Sequence, residues 1–188
     1  GGAIGGAVAR GFAAEGARLF LTGRHRAPVE AVAKDIVSAD GSAEVAEVDV
    51  LDEQAVDRYL RYVVGQAGRI DISFDAVGIP GLHLLGVPVA DLDAEAFSLP
   101  IRTYTTSYFV TARLAARHMI PNRAGVIMTV TAFPARKGTP LNGGYGAAMA
   151  AKEALTQDLS AELAPHGIRV VALRPNGMAE TSTMRELF

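Results

Sequence analysis

The stretch from Gly125 to Gly177 constrains the fold more than any other part of the chain. It opens with GVIMTVTAF, a short apolar run rich in Val, Ile and Thr that suits a strand buried on both faces. A loop, PARKGTPLNGG, follows. Then YGAAMAAKEALTQDLSAELAPHG places Ala148, Met149, Leu155, Leu159 and Leu163 at helical spacing. Gly167 stands just past Pro165, where such a helix should stop. IRVVALRPNG is again β-branched and apolar. Strand, loop, long helix and strand together predict one right-handed βαβ unit of a parallel sheet. The loop between Thr131 and Tyr145 leaves the carboxyl end of the first strand, which is where open α/β sheets bind ligands.

The preceding sequence alternates in the same way. GGAIG opens into AVARGFAAEGA, a short helix with Gly16 as its stop, and RLFLTG reads as a buried strand. Pro28 suits the first turn of a helix running to about Ala39. AEVAEVDV is a strand ending in Asp49 and Val50, and Asp52 looks like the N-cap of a helix through Gln66. DISFDAVG is a fourth strand. Residues 79–92 form a loop punctuated by Gly and Pro, with His83 expected at the surface, and residues 95–119 read as a helix broken near Pro100. The 188 residues, 49% of them hydrophobic, predict a single domain with a sizeable core, of the doubly wound α/β class in three layers.

Charge and cysteine content narrow the partners. A formal net charge of -2 implies neither a nucleic acid nor an anionic membrane. The absence of cysteine excludes disulfides, thiolate catalysis and cysteine metal sites, and suits a reducing cytoplasm. No apolar run approaches the length of a membrane span, and no metal site is expected.

The small hydroxyl residues at the end of GVIMTVTAF, Tyr145 a dozen or so positions on, ELAPHGIRV and the Pro-Asn-Gly turn at Pro175 resemble the short-chain dehydrogenase/reductase family. There a serine, a tyrosine and a lysine four residues after the tyrosine serve hydride transfer on a nicotinamide cofactor. Tyr145 matches the tyrosine, Met149 stands at the lysine position and Ala132 at the serine position, with Thr131 beside it. The family's helical asparagine, part of its proton relay, falls at Tyr104. Tyr145 and Thr131 are thus the candidate catalytic residues. Without a neighbouring lysine the Tyr145 phenol should be a poor base at neutral pH. Thr131 could supply the missing hydroxyl only if the strand end twists, because adjacent strand residues point to opposite faces. Lys152, two helical turns past Tyr145, is expected at the surface or at an interface.

The resemblance also implies a cofactor site. Gly2, Ile4 and Gly5 fall on the glycine turn that holds the pyrophosphate, and Asp49 and Val50 on the adenine contact. Asp75, Ala76, Val77 and Gly78 replace the family's Asn-Asn-Ala-Gly, which puts a carboxylate at Asp75 beside Gly78, and Pro175 and Gly177 close the far side. Gly23 followed by Arg24, His25 and Arg26, with no acid at that strand end, favours NADP(H) over NAD(H) through a 2′-phosphate at Arg24. The first strand of the family would precede Gly1 and its substrate-covering segment would follow Phe188, so a domain truncated at both ends is expected. Two readings stay open: an NADP(H)-linked oxidoreductase of unidentified carbonyl or alcohol substrate with a nonstandard site, and a noncatalytic cofactor- or ligand-binding relative. A deliberate inactivation is a third, opposed by the altered turn at residues 75–78. Small residues along the Tyr145 helix predict a homodimer or homotetramer.

Overall fold

The structure, a computed structural model, describes residues 2–79 and 85–176. Among the described residues five α-helices and five strands alternate: α1 (Ala3–Ala14), β1 (Arg18–Gly23), α2 (Arg26–Ser38), β2 (Ser42–Glu47), α3 (Glu53–Ala67), β3 (Ile72–Asp75), α4 (Ala94–Met119), β4 (Gly125–Val130), α5 (Tyr145–Leu163) and β5 (Ile168–Leu173). The architecture is the doubly wound α/β class read from the sequence. Every strand pairing is parallel, and the strands divide into a β1-β2 pair and a β3-β4-β5 triplet.

Local chemistry sets the ends of these elements. The Asp52 carboxylate caps α3 by accepting the Ala55 N–H at 3.0 Å, as its sequence position predicts. Gly167 ends the turn after α5 with φ +72°, and a Cβ there would lie 2.2 Å from the Arg123 carbonyl oxygen. Only glycine satisfies both demands. The helix predicted to break at Pro100 does not break: α4 runs unbroken from Ala94 to Met119 with Pro100 buried inside it. Proline removes one intrahelical hydrogen bond. The tight seat of α5 against this turn, where a Cβ at Gly144 would lie 3.1 Å from the proline ring, holds the helix together.

The core lies where α4 and α5 cover the triplet. Ile127, Ile168 and Val170 of the sheet pack with Tyr108, Ala112, Ala115, Ala116 and Met119 of α4, Leu163 of α5 and Val63 of α3. Register matters for function here, because Asp75, Thr129 and Ala172 are aligned across the three strands. The carboxyl ends of β3, β4 and β5 therefore lie level. They deliver residues 75–79, Thr131 with Ala132, and Arg174 with Pro175 to one rim.

Candidate functional site

Tyr145 is the first residue of α5, and the fold holds it there tightly. A Cβ at the preceding Gly144 would lie 2.0 Å from the Phe97 carbonyl oxygen, so glycine alone lets α5 start this close to α4. The Tyr145 ring meets Tyr104 edge to face, with centroids 5.8 Å apart and an interplanar angle of 73°. Buried Tyr104, Ala148 and Met149 form an apolar cluster into which Tyr145, Ala132, Ala135, Ile79 and Ile101 also pack. The three positions assigned to serine, tyrosine and lysine therefore come together, but as Ala132, Tyr145 and Met149. Burial, with a smaller effect of Tyr104, pushes the Tyr145 phenol up to about 12.

Thr131 does not join them. Its hydroxyl donates to Glu153 Oε1 at 3.2 Å and lies 3.4 Å from the Leu173 carbonyl oxygen, so it cannot stand in for the missing serine. The strand end keeps its alternation: Ala132 packs into the apolar cluster, and the Thr131 hydroxyl turns to Glu153. Glu153 gathers two more donors, Arg136 Nε at 2.5 Å and Arg174 through Nε at 2.5 Å and Nη2 at 2.9 Å. Burial raises this carboxyl, and the hydrogen bonds from Arg174, Arg136 and Thr131 outweigh it, so the group sits below its ordinary value.

Lys152 is the largest departure from the sequence reading. It is 1% exposed rather than at the surface, and its Nζ lies 3.6 Å from Asp75 Oδ1. The ammonium also lies 5.7 Å from the Tyr104 ring centroid and 5.5 Å from that of Tyr108. Asp75, 3% exposed, accepts the Ser107 hydroxyl through Oδ2 at 3.1 Å and the Val77 N–H through Oδ1 at 3.1 Å. Burial lowers the Lys152 pKa, and the adjacent Asp75 opposes that shift without cancelling it. A signal for this pairing exists in the sequence. Met149, Lys152, Glu153 and Thr156 fall three and four apart, on the face that α5 buries. An acid at position 75, where the family has asparagine, calls for a cation.

The remaining candidates line the other half of the rim. Gly2 is the N-cap of α1, with Ile4 and Gly5 in its first turn. A Cβ at Gly5 would come within 3.2 Å of Ala76 Cβ, so the start of α1 and the turn after β3 touch. This close backbone approach at a helix N-terminus fits the pyrophosphate of a dinucleotide. Gly78 is exposed, with open space where a side chain would be. Arg24 is exposed just past β1 and has no side-chain partner among the described residues, whereas Arg26 pairs with Glu30 at 2.5 Å. The Asp49 carboxylate accepts the Leu51 N–H of its own turn at 2.9 Å, and Val50 packs against the cluster of Val48, Val56, Val110 and Leu114. Pro175 follows β5, while Gly177 and His83 lie outside the described residues.

Comparison with known proteins agrees with this geometry. The family model described as short chain dehydrogenase matches residues 1–188. An uncharacterized oxidoreductase of Staphylococcus epidermidis is 27% identical over 178 residues, which is 95% of this chain and 74% of that protein. A metagenomic short-chain oxidoreductase in complex with NADP superposes with a TM-score of 0.83 at 26% identity, over 93% of this chain and 77% of that one. NAD+-bound xylitol dehydrogenase superposes with a TM-score of 0.91 at 29% identity, over 98% and 70%. The chain belongs to the short-chain dehydrogenase family.

Proposed function

We propose that this chain is an NADP(H)-linked oxidoreductase acting on a small carbonyl or alcohol substrate through a nonstandard site. The observation that carries this reading is Tyr145, packed into the same apolar cluster as Ala132 and Ile79, where Ile79 ends the turn whose Ala76 meets Gly5. The nicotinamide cofactor, when bound, supplies or accepts the hydride. Gly2, Ile4 and Gly5 would hold its pyrophosphate through the start of α1, Asp49 and Val50 its adenine, and Asp75 to Gly78 with Pro175 the nicotinamide half. Arg24 supports NADP(H), because it is exposed past β1 without a side-chain partner among the described residues and so could meet a 2′-phosphate. The NADP-bound and NAD+-bound neighbours show that the fold accepts either cofactor.

In reduction, the Tyr145 hydroxyl would give its proton to the substrate's carbonyl oxygen; in oxidation its phenolate would take the alcohol's proton. Tyr145 does this without a lysine at position 149 and without a hydroxyl at position 132, so turnover is slow by the family's standard. The same facts favour a second reading, a noncatalytic binding relative, because burial and Tyr104 hold the Tyr145 phenol up at about 12 and no cation among the described residues is paired with it. The protein is expected in the cytoplasm as a homodimer or homotetramer; among the described residues no helix is long and apolar enough to cross a membrane. NADPH and NADH titration, followed by turnover on a panel of carbonyl compounds with Tyr145→Phe alongside, tests the proposal. Turnover that Tyr145→Phe abolishes supports catalysis. NADPH binding without turnover leaves the noncatalytic reading.

A further inference from the structure

Residues 75–79 bridge the two halves of the rim. Ala76 lies against Gly5 at the start of α1, and Ile79 packs into the cluster that holds Tyr145. The segment is tied down from the helix side at both ends. At its start, Asp75 accepts the N–H of Val77 and the hydroxyl of Ser107. At its end, the Tyr104 hydroxyl accepts the Ile79 N–H at 3.2 Å. One ammonium touches both ties: Lys152 Nζ is 3.6 Å from Asp75 and lies over the ring of Tyr104. Among the described residues no other cation pairs with Asp75. Beneath it, Thr156 donates to the Lys152 carbonyl oxygen at 2.7 Å and shares a hydrogen bond with the Tyr108 hydroxyl at 3.1 Å.

Stability alone does not account for such a pair. Removing two charges from water is costly, and apolar residues of similar volume are often at least as stable. Burial outweighs the attraction of Asp75 in setting the lysine's protonation, in line with that cost. A buried pair of this kind is better explained by the geometry it fixes.

We infer that Lys152 is a positioning residue that acts through Asp75 and Tyr104 to set the backbone of residues 75–79, and with it the seat of the cofactor beside Tyr145. The cofactor half of this statement rests on the oxidoreductase reading above; the backbone half does not. Two readouts on the full chain separate them: amide hydrogen exchange at Val77 and Ile79, and the Kd for NADPH. Lys152→Met, which strands the Asp75 carboxylate, should speed exchange at both amides. It should also weaken NADPH about tenfold, within the range by which residues without ligand contact modulate binding. The double variant Asp75→Asn with Lys152→Met removes both charges and keeps an acceptor for the Val77 N–H, so amide exchange at Val77 and Ile79 should return to the wild-type rate. A folded Lys152→Met protein with wild-type exchange at both amides overturns the inference. The double variant decides even where the single one does not fold: fast exchange at Val77 and Ile79 in a folded double variant overturns action through Asp75. If the wild-type chain binds neither NADPH nor NADH, the oxidoreductase reading falls, and the exchange data still judge the role of Lys152.

Discussion

The first turn of α5 and the two turns after it face the same layer of the protein with opposite chemistry. The first presents Tyr145, Ala148 and Met149 to an apolar cluster, with one hydroxyl and no charge. The next two bury Lys152, Glu153 and Thr156, two charges and a hydroxyl, each with a polar partner. Position along a helix decides what a cation can do for a phenol, because one turn advances about 5.4 Å. A lysine at position 149 would lie beside Tyr145. The lysine at position 152 reaches Asp75 and the faces of Tyr104 and Tyr108 instead. Charge is therefore present near this site, but it is committed to holding the scaffold.

The sharpest way to break the comparison is to move charge back to the first turn. Ala132→Ser with Met149→Lys should raise turnover by about a hundred- to ten-thousand-fold for each restored contribution. The pair should exceed the product of the singles, since the groups act as one unit. Protonation gives an independent check. With the phenol near 12, alcohol oxidation by the wild-type chain should climb with pH throughout the accessible range, because it needs the phenolate. The restored lysine should move that rise to lower pH. An unmoved pH–rate profile would place the chemistry elsewhere than Tyr145.

The layout behind this comparison was largely legible in the sequence. β-branched runs separated by helical periodicity specify the βαβ order, and the offset from Tyr145 put Ala132 and Met149 at their positions. Thr131 was a catalytic candidate only on condition that the strand end twists, and its hydroxyl goes to Glu153 instead, as alternation along a strand requires. Two features were not legible. Pro100 signals a break from local chemistry, and tertiary packing against Gly144 overrides it. Lys152 suggests a surface residue by type, and only a partner distant in sequence, Asp75, makes its burial tolerable.

The second effect in size concerns that partner. Breaking a buried ion pair by removing one member costs about 3–5 kcal/mol, whereas replacing both members is often neutral. Lys152→Met should lower the denaturant midpoint accordingly, and Asp75→Asn with Lys152→Met should recover it. The pH dependence has a definite sign. Burial depresses the Lys152 pKa below its unfolded value of 10.5, so the folded state releases this proton first and its contribution to stability rises as pH climbs toward 10.5. Loss of that slope in the double variant would tie it to Lys152.

Glu153 tests the other buried charge with a smaller effect. Its arginine partners are 58% and 41% exposed, so solvent discounts the contact, and Glu153→Gln should cost about 1–2 kcal/mol. Its folded pKa lies below the unfolded value of 4.5, so the stabilisation is complete above that pH and fades as pH falls through the folded value. Acid unfolding curves of wild type and Glu153→Gln should therefore converge at low pH. Curves that stay parallel would mean that the carboxylate charge contributes nothing.

The smallest expected effect lies on the cofactor side, where the contrast is with a charge that has no partner. Arg136 and Arg174 spend their guanidinium groups on Glu153, and Arg26 on Glu30, but Arg24 stands exposed past β1 and unpaired among the described residues. A 2′-phosphate there would gain a charge-assisted contact without breaking an existing one, whereas a 2′-hydroxyl offers no charge to meet. Arg24→Ala should weaken NADPH about tenfold, the low end for a hydrogen bond to a charged group in an exposed setting, and leave NADH nearly unchanged. The fold should not notice, since Arg24 holds nothing in place. Equal losses for both cofactors would show that Arg24 contributes a general attraction to the pyrophosphate and does not read the 2′ position.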